Sequence, residues 1–155
     1  MMEVVRVPPF ERFYEEQRGP VLAQLRRMLG RDAADDAFQE TFLRALRAYP
    51  SLAHGRHLRA WALQIAHNVA VDALRRTTLT SADVPDLESV DEPLPFEELR
   101  RLTAELPQKE RAAVYLRYGC DLSYEQIGDA LGQSPEAARQ AASSGVRRLR
   151  RKELS

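Results

Sequence analysis

The chain has 155 residues, 44% of them hydrophobic, which is enough apolar side chain for one medium or two small packed domains and excludes wholesale disorder. Its 23 basic and 23 acidic residues cancel, and its single cysteine, Cys120, excludes an internal disulfide. No apolar run approaches bilayer length and residues 1–6 lack a signal-peptide core, so a soluble, cytoplasmic protein is expected.

Helical spacing of apolar residues runs through most of the chain, and no convincing strand alternation appears. A first helix is expected over residues 10–29, with Phe10, Phe13, Tyr14, Val21, Leu22, Leu25 and Met28 on its apolar face. Gly19-Pro20 marks a break inside it and Gly30 its end. A second helix begins near residues 32–36, where acids suit an N-terminus, and carries Phe38, Phe42, Ala45, Leu46 and Tyr49 before Pro50 closes it. Residues 50–57 read as a polar loop. A long helix follows over 58–76, with Leu58, Trp61, Ile65, Val69 and Ala73 as one stripe.

Residues 77–95 break the pattern with Pro85, Pro93 and Pro95. Asp83, Asp86, Glu88, Asp91 and Glu92 fall here with no Lys or Arg, so the rest of the chain holds 23 bases against 18 acids. This stretch reads as a flexible acidic linker between an N-terminal domain, 1–76, and a C-terminal one, 96–155. Phe96, Leu99, Leu102 and Leu106 start a new helix, and another spans about 108–118. The fold class is therefore all-α, two small helical domains.

Residues 123–139 are the most informative stretch. Ser123 caps a helix, and Gln126 sits three residues on, where a capping box wants Glu or Gln. Gly132 stops that helix. Ser134 caps the next, with Pro135 at its first position, where no backbone N–H is needed. A helix stopped by Gly and restarted by Ser-Pro is a helix-turn-helix pattern, whose second helix enters the major groove in DNA-binding proteins. The bases concentrate at helix ends, Arg75-Arg76 and residues 147–152, where they suit either phosphates or the helix dipole.

No catalytic set, P-loop or paired-cysteine motif is present, so the chain is read as a non-enzyme without metal or cofactor. His54 and His57 lie in a loop without further ligands at useful spacing. On these residues alone two readings stay open, a helix-turn-helix regulator that binds operators as a dimer, without polymerase, and a helical interaction module.

Residues 36–46, Asp-Ala-Phe-Gln-Glu-Thr-Phe-Leu-Arg-Ala-Leu, resemble the hallmark helix of bacterial sigma factors. Residues 59–76 resemble their promoter-melting helix. Leu106-Pro107 with Arg111, then Leu116-Arg117-Tyr118 and the helix-turn-helix, resemble their C-terminal domain. Two domains and a short linker is the layout of the extracytoplasmic-function branch. The resemblance implies an alternative sigma factor that directs core RNA polymerase to promoters. Asp36, Gln39, Glu40, Phe42 and Arg44 would dock on the coiled coil of the polymerase's largest subunit, and the C-terminal domain would meet the flap of the second-largest. Ser51, His54, Arg56, His57, Trp61, Gln64, Asn68, Arg75 and Arg76 would face the minus-ten DNA, where a flipped base is held. Ser134, Glu136, Arg139, Gln140, Ser143, Arg147 and Arg148 would face the minus-thirty-five DNA. The acidic linker would thread the polymerase's basic cleft. An anti-sigma factor, membrane-linked in many members of the branch, is an implied partner.

The family's recognition helix often carries Arg where this chain has Ala141 and Ser144. Direct readout then leans on Arg139, suited to guanine, and Gln140, suited to adenine. Gly145 inside this helix costs about 1 kcal/mol relative to Ala.

Overall fold

The computed structural model describes residues 5–80 and 103–153. Every regular element among them is helical. The chain divides into two compact units, Met1–Asp91 and Glu92–Ser155. The stretch read as a linker beyond residue 80, and the helix expected from Phe96, lie outside the described residues.

In the first unit α1 spans Phe10–Ala48 and α2 spans Leu58–Thr80, with a 3-10 turn at Tyr49–Ser51. The expected break at Gly19-Pro20 does not occur: Pro20 lies inside the helix. An interior proline costs about 3 kcal/mol. Val21 and Leu25, both fully buried, and Phe13 before them recover about 1.5–3 kcal/mol each by leaving water, so packing wins. The chain turns instead at Gly30, whose φ of 80° and ψ of 173° lie outside the helical region. No loop separates the two arms. Residues 10–29 and 31–48 run directly into one another around this one left-handed residue.

The second arm buries Ala34, Ala37, Thr41 and Ala45, with Phe42 beside them. Thr41 is fully buried and its hydroxyl donates to the Ala37 carbonyl at 2.7 Å, so no polar group is stranded. On α2 the helical period is as expected but its phase is not. Ala60, Leu63, Ala66 and Ala70 form the buried stripe; of the expected stripe Val69 is buried, at 2% exposed, while Leu58, Trp61, Ile65 and Ala73 are half-buried. Small side chains let α1 and α2 approach closely, so the alanines face inward and the larger residues flank them. Gln24 is fully buried and donates to the Leu63 carbonyl at 3.4 Å. At one end of the unit the rings of Phe10, Phe13, Tyr14, Phe38, Phe42, Tyr49 and Trp61 form a chain of tilted and edge-on contacts. Centroids are 4.8 Å apart for Tyr14–Phe42 and 6.2 Å for Tyr49–Trp61.

In the second unit α3 covers Gln108–Val114 and continues as a π-helical turn, Tyr115–Gly119; α4 is Tyr124–Leu131 and α5 is Pro135–Glu153. The helix expected over 108–118 is thus one run whose last turn widens. Asp121, at φ 55°, reverses the chain, and Leu122 then donates its N–H to the Leu116 carbonyl at 3.1 Å. Arg117 fastens this connection by donating to the Leu122 carbonyl at 3.0 Å while stacking over the Tyr124 ring at 4.4 Å.

The capping signals are realised atom by atom. Ser123 Oγ accepts from Gln126 N–H at 3.1 Å, and Gln126 Oε1 accepts from Ser123 N–H at 2.8 Å. Gly132 takes the left-handed conformation, φ 68°, and Gln133 donates back to the Gly128 carbonyl at 2.8 Å. Gly128 is also required, because a Cβ there would sit 2.6 Å from the Gln133 carbonyl oxygen. Ser134 Oγ accepts from Ala137 N–H at 3.1 Å and opens α5. Leu106, Ala112, Ala113, Val114, Leu116, Leu122, Ile127, Ala138 and Ala142 make the core beneath.

Candidate nucleic-acid and polymerase interfaces

Three surfaces carry the residues singled out by the sequence. The first is the outer face of the second arm of α1. With Ala34, Ala37, Thr41 and Ala45 buried, residues 36, 39, 43 and 46 come round to solvent. Asp36 and Gln39 are exposed there. Leu43 and Leu46 are 46% and 50% exposed, one helical turn apart. Sequence reading named neither leucine as a surface contact and grouped Leu46 with Phe42 and Ala45 on the apolar spacing of this helix. The signal was present: the buried stripe at 34, 37, 41 and 45 leaves both leucines on the far side.

Phe42 requires a correction. It is 7% exposed and held by Phe13, Tyr14 and Phe38, so it packs inside the unit and is not a surface contact. Arg44 is also engaged. Its Nε meets Glu40 at 3.0 Å and its Nη2 meets Asp72 of α2 at 3.2 Å. The Glu40 hydrogen bond, opposed by partial desolvation and helped by Asp72, raises the Arg44 pKa further above its ordinary value. Arg44 therefore ties α1 to α2, and Glu40 is half-buried beside it. Between these helices lies a cleft of about 480 Å³ lined by Ala33, Asp36, Ala37, Glu40, Val69 and Arg76 among others.

The second surface is the loop before α2 and the helix itself. Ser51 is exposed; His54, Arg56 and His57 are half-buried. The loop is internally braced. His54 Nδ1 accepts from the Arg56 N–H at 3.2 Å, and His57 takes φ 55° so that its carbonyl accepts from Trp61 N–H at 3.2 Å and starts α2. Trp61 is half-buried against Phe13, 5.5 Å away, so one part of its ring serves the core and the rest faces outward. Gln64 needs a second correction. It is 8% exposed and donates to Asn68 Oδ1 at 3.5 Å, so it does not present a free amide to DNA. Asn68 is half-buried, while Arg75 and Arg76 are exposed near the end of the helix.

The third surface is the outer face of α5. Ala138, Ala142 and Gly145 are buried, which turns Glu136, Arg139, Gln140, Ser143 and Arg147 outward as one stripe. Arg139 Nη2 lies 3.1 Å from Glu136 Oε1, both well exposed. Ser134 is exposed but occupied as the cap. Arg148 requires the third correction. It turns to α3 and pairs with Glu110 at 2.8 Å, while Ser144 donates to the same carboxylate at 2.8 Å. Glu110 is thus an inter-helix anchor, and Arg148 pairs with it from an exposed position on α5. Gly145 is not a simple weakness in α5: a Cβ there would sit 2.6 Å from Val114 Cγ2. The glycine lets α5 lie close against α3.

Among the described residues no group of three or more His, Cys, Asp or Glu side chains is placed to hold a metal ion. None of the described helices is long and apolar enough to cross a membrane.

Residues 13–80 match the family model for sigma-70 region 2, and residues 104–151 match that for sigma-70 region 4. The RNA polymerase sigma factor CarQ of Myxococcus xanthus is 32% identical over 151 residues, covering 91% of this chain and 87% of its own. The ECF sigma factor SigK of Mycolicibacterium vanbaalenii is 27% identical, covering 92% and 80%. Two solved structures share the fold. The sigma factor RpoE bound to the anti-sigma factor NepR, from Bartonella quintana, superposes with a TM-score of 0.56 at 20% identity over 92% of this chain and 94% of that one. CnrH bound to the cytosolic domain of CnrY gives 0.53 at 22% identity over 90% and 84%.

Proposed function

Because this chain belongs to the extracytoplasmic-function branch of the sigma-70 family, an alternative sigma factor directing promoter-specific initiation, we propose how its surfaces divide that work. The outer face of the second arm of α1 docks on core RNA polymerase, with Leu43 and Leu46 as the apolar centre and Asp36, Gln39 and Arg47 as the polar rim. The exposed leucine pair carries this reading. Two neighbouring leucines half in water on a helix whose other face is fully packed have no role inside the unit, and apolar centres with polar rims are how protein interfaces are built. The loop at 52–57 and the outward part of α2, with Trp61, Asn68, Arg75 and Arg76, face the minus-ten element and its melted strand. The α5 stripe faces the minus-thirty-five element through Arg139, Gln140, Ser143 and Arg147.

Of the two solved complexes that share the fold, one holds the sigma factor RpoE with the anti-sigma factor NepR and the other holds CnrH with the cytosolic domain of CnrY. We propose a partner of the same kind for this chain, an anti-sigma factor that covers the polymerase-docking face. The function is that of an initiation subunit rather than an enzyme.

The test is reconstitution. Core polymerase mixed with the purified chain should give run-off transcripts from a cognate promoter, and the Leu43→Ala/Leu46→Ala double variant should lose core binding in a competition assay. Retained core binding by the double variant would remove the docking assignment.

A further inference from the structure

The reading loop is not made by residues 52–57 alone. The extended segment before α1 lies along it. Gly55 N–H donates to the Val5 carbonyl at 2.7 Å, and a Cβ on Gly55 would overlap the Arg6 carbonyl. The Tyr49 hydroxyl donates to the Pro8 carbonyl, and the Phe10 ring stands edge-on to Tyr49 at 5.2 Å. Pro8 and Pro9 in succession fix φ and keep the backbone extended, with Pro9 at φ −56° and ψ 147°. The segment is thus held at both ends against the loop by backbone contacts that do not depend on its side chains.

That arrangement places Arg6 beside the loop with its side chain exposed and, among the described residues, with no acidic partner. Residues 5–9 and 50–60 contain Arg6, Arg56, Arg59, His54 and His57 and no Asp or Glu; the acids nearest Arg6 in sequence are Glu3, outside the described residues, and Glu11, on the first turn of α1. We infer that residues 5–9 are part of the promoter surface, with Arg6 as a phosphate contact on the DNA strand that the 52–57 loop receives. The inference rests on the assignment of that loop to minus-ten DNA. An exposed guanidinium with no acidic partner among the described residues, next to an acid-free loop, is suited to phosphate, and the narrow fit at Gly55 keeps it in register with the loop. The contact carries no base information; it positions the strand.

The experiment measures binding of the reconstituted holoenzyme to a promoter carrying a pre-opened minus-ten bubble, across a salt series. Each phosphate contact to single-stranded DNA adds about 0.7 to the slope of log K against log salt. Arg6→Ala should lower that slope by about this amount, equally for different minus-ten sequences. Arg6→Lys should restore it, because a point charge suffices. Arg26→Ala, which removes an exposed cation in the middle of α1, should leave it unchanged. Gly55→Ala should weaken the complex while core binding persists. An Arg6→Ala slope equal to wild type overturns the inference. If Arg56→Ala lowers affinity and Arg6→Ala does not, only the N-terminal contact falls; if neither matters, the loop assignment falls with it.

Discussion

Gly145 is buried where α5 crosses α3, and its missing side chain is the reason the two helices can meet there. Helix propensity alone favours Ala at this position by about 1 kcal/mol. Against that stands Val114 Cγ2, 2.6 Å from where the new methyl would sit. Val114 is 1% exposed and β-branched, so its methyl has no other rotamer to retreat to. Overpacking of this kind costs about 1–3 kcal/mol, so the steric effect outweighs the propensity. Gly145→Ala is expected to destabilise the C-terminal unit by up to about 2 kcal/mol net, read from urea unfolding followed by circular dichroism. A variant as stable as the parent would mean that α3 and α5 can separate at no cost. The same unit offers a second check at Ser123, where the capping box is complete. Ser123→Ala should cost about 1 kcal/mol in the same measurement.

The second arm of α1 separates two kinds of hydrophobic residue that look alike in sequence. Phe42, Leu43 and Leu46 lie within five positions, yet one is locked among rings and two face water. Phe42→Ala should therefore act on stability, by about 3–5 kcal/mol for a buried aromatic. Leu43→Ala with Leu46→Ala should shift the melting temperature by no more than about 4 °C, since surface changes sit within ±0.5 kcal/mol each, while weakening core-polymerase binding. Comparing thermal melts with a polymerase competition assay for both variants distinguishes the two roles, and a larger stability loss in the leucine pair would place those residues in the core after all. Helix existence, the capped turn at 123–134 and the sigma-like motifs were legible because capping and periodicity are local. The phase of α2 was not. Its stripe of Ala60, Leu63, Ala66 and Ala70 is chosen by how closely α1 approaches, which no single helix encodes. The fate of Pro20 was hidden for a like reason: a local cost was outweighed by the burial of Val21 and Leu25 against residues far along the chain. Arg44 and Arg148 looked like free cations because their partners, Asp72 and Glu110, lie 28 and 38 positions away.

Taken over both units, some of the cations that could meet DNA are already engaged within the protein. Arg148 is held by Glu110, and Arg44 by Glu40 and Asp72. The α5 stripe keeps Arg139 and Arg147, with Gln140 and Ser143 between them. Even Arg139 leans on Glu136 at 3.1 Å, but both groups are well exposed, so the pair is weak and Arg139 can turn to a guanine edge at little cost. A bidentate Arg–guanine contact is worth about 1–3 kcal/mol of discrimination. Arg139→Ala should therefore reduce transcription about tenfold or more from a promoter with its preferred minus-thirty-five base. It should have little further effect once that base is changed, because the contact is already lost. Replacing the whole minus-thirty-five element should cost less than replacing the minus-ten element if, as proposed, direct base readout by α5 leans on Arg139 and Gln140. Both comparisons come from one panel of promoter variants transcribed by wild-type and Arg139→Ala holoenzyme. Equal losses on every promoter would make Arg139 a phosphate contact, and the base discrimination of this chain would then rest on its N-terminal unit and on the shape of the minus-thirty-five DNA.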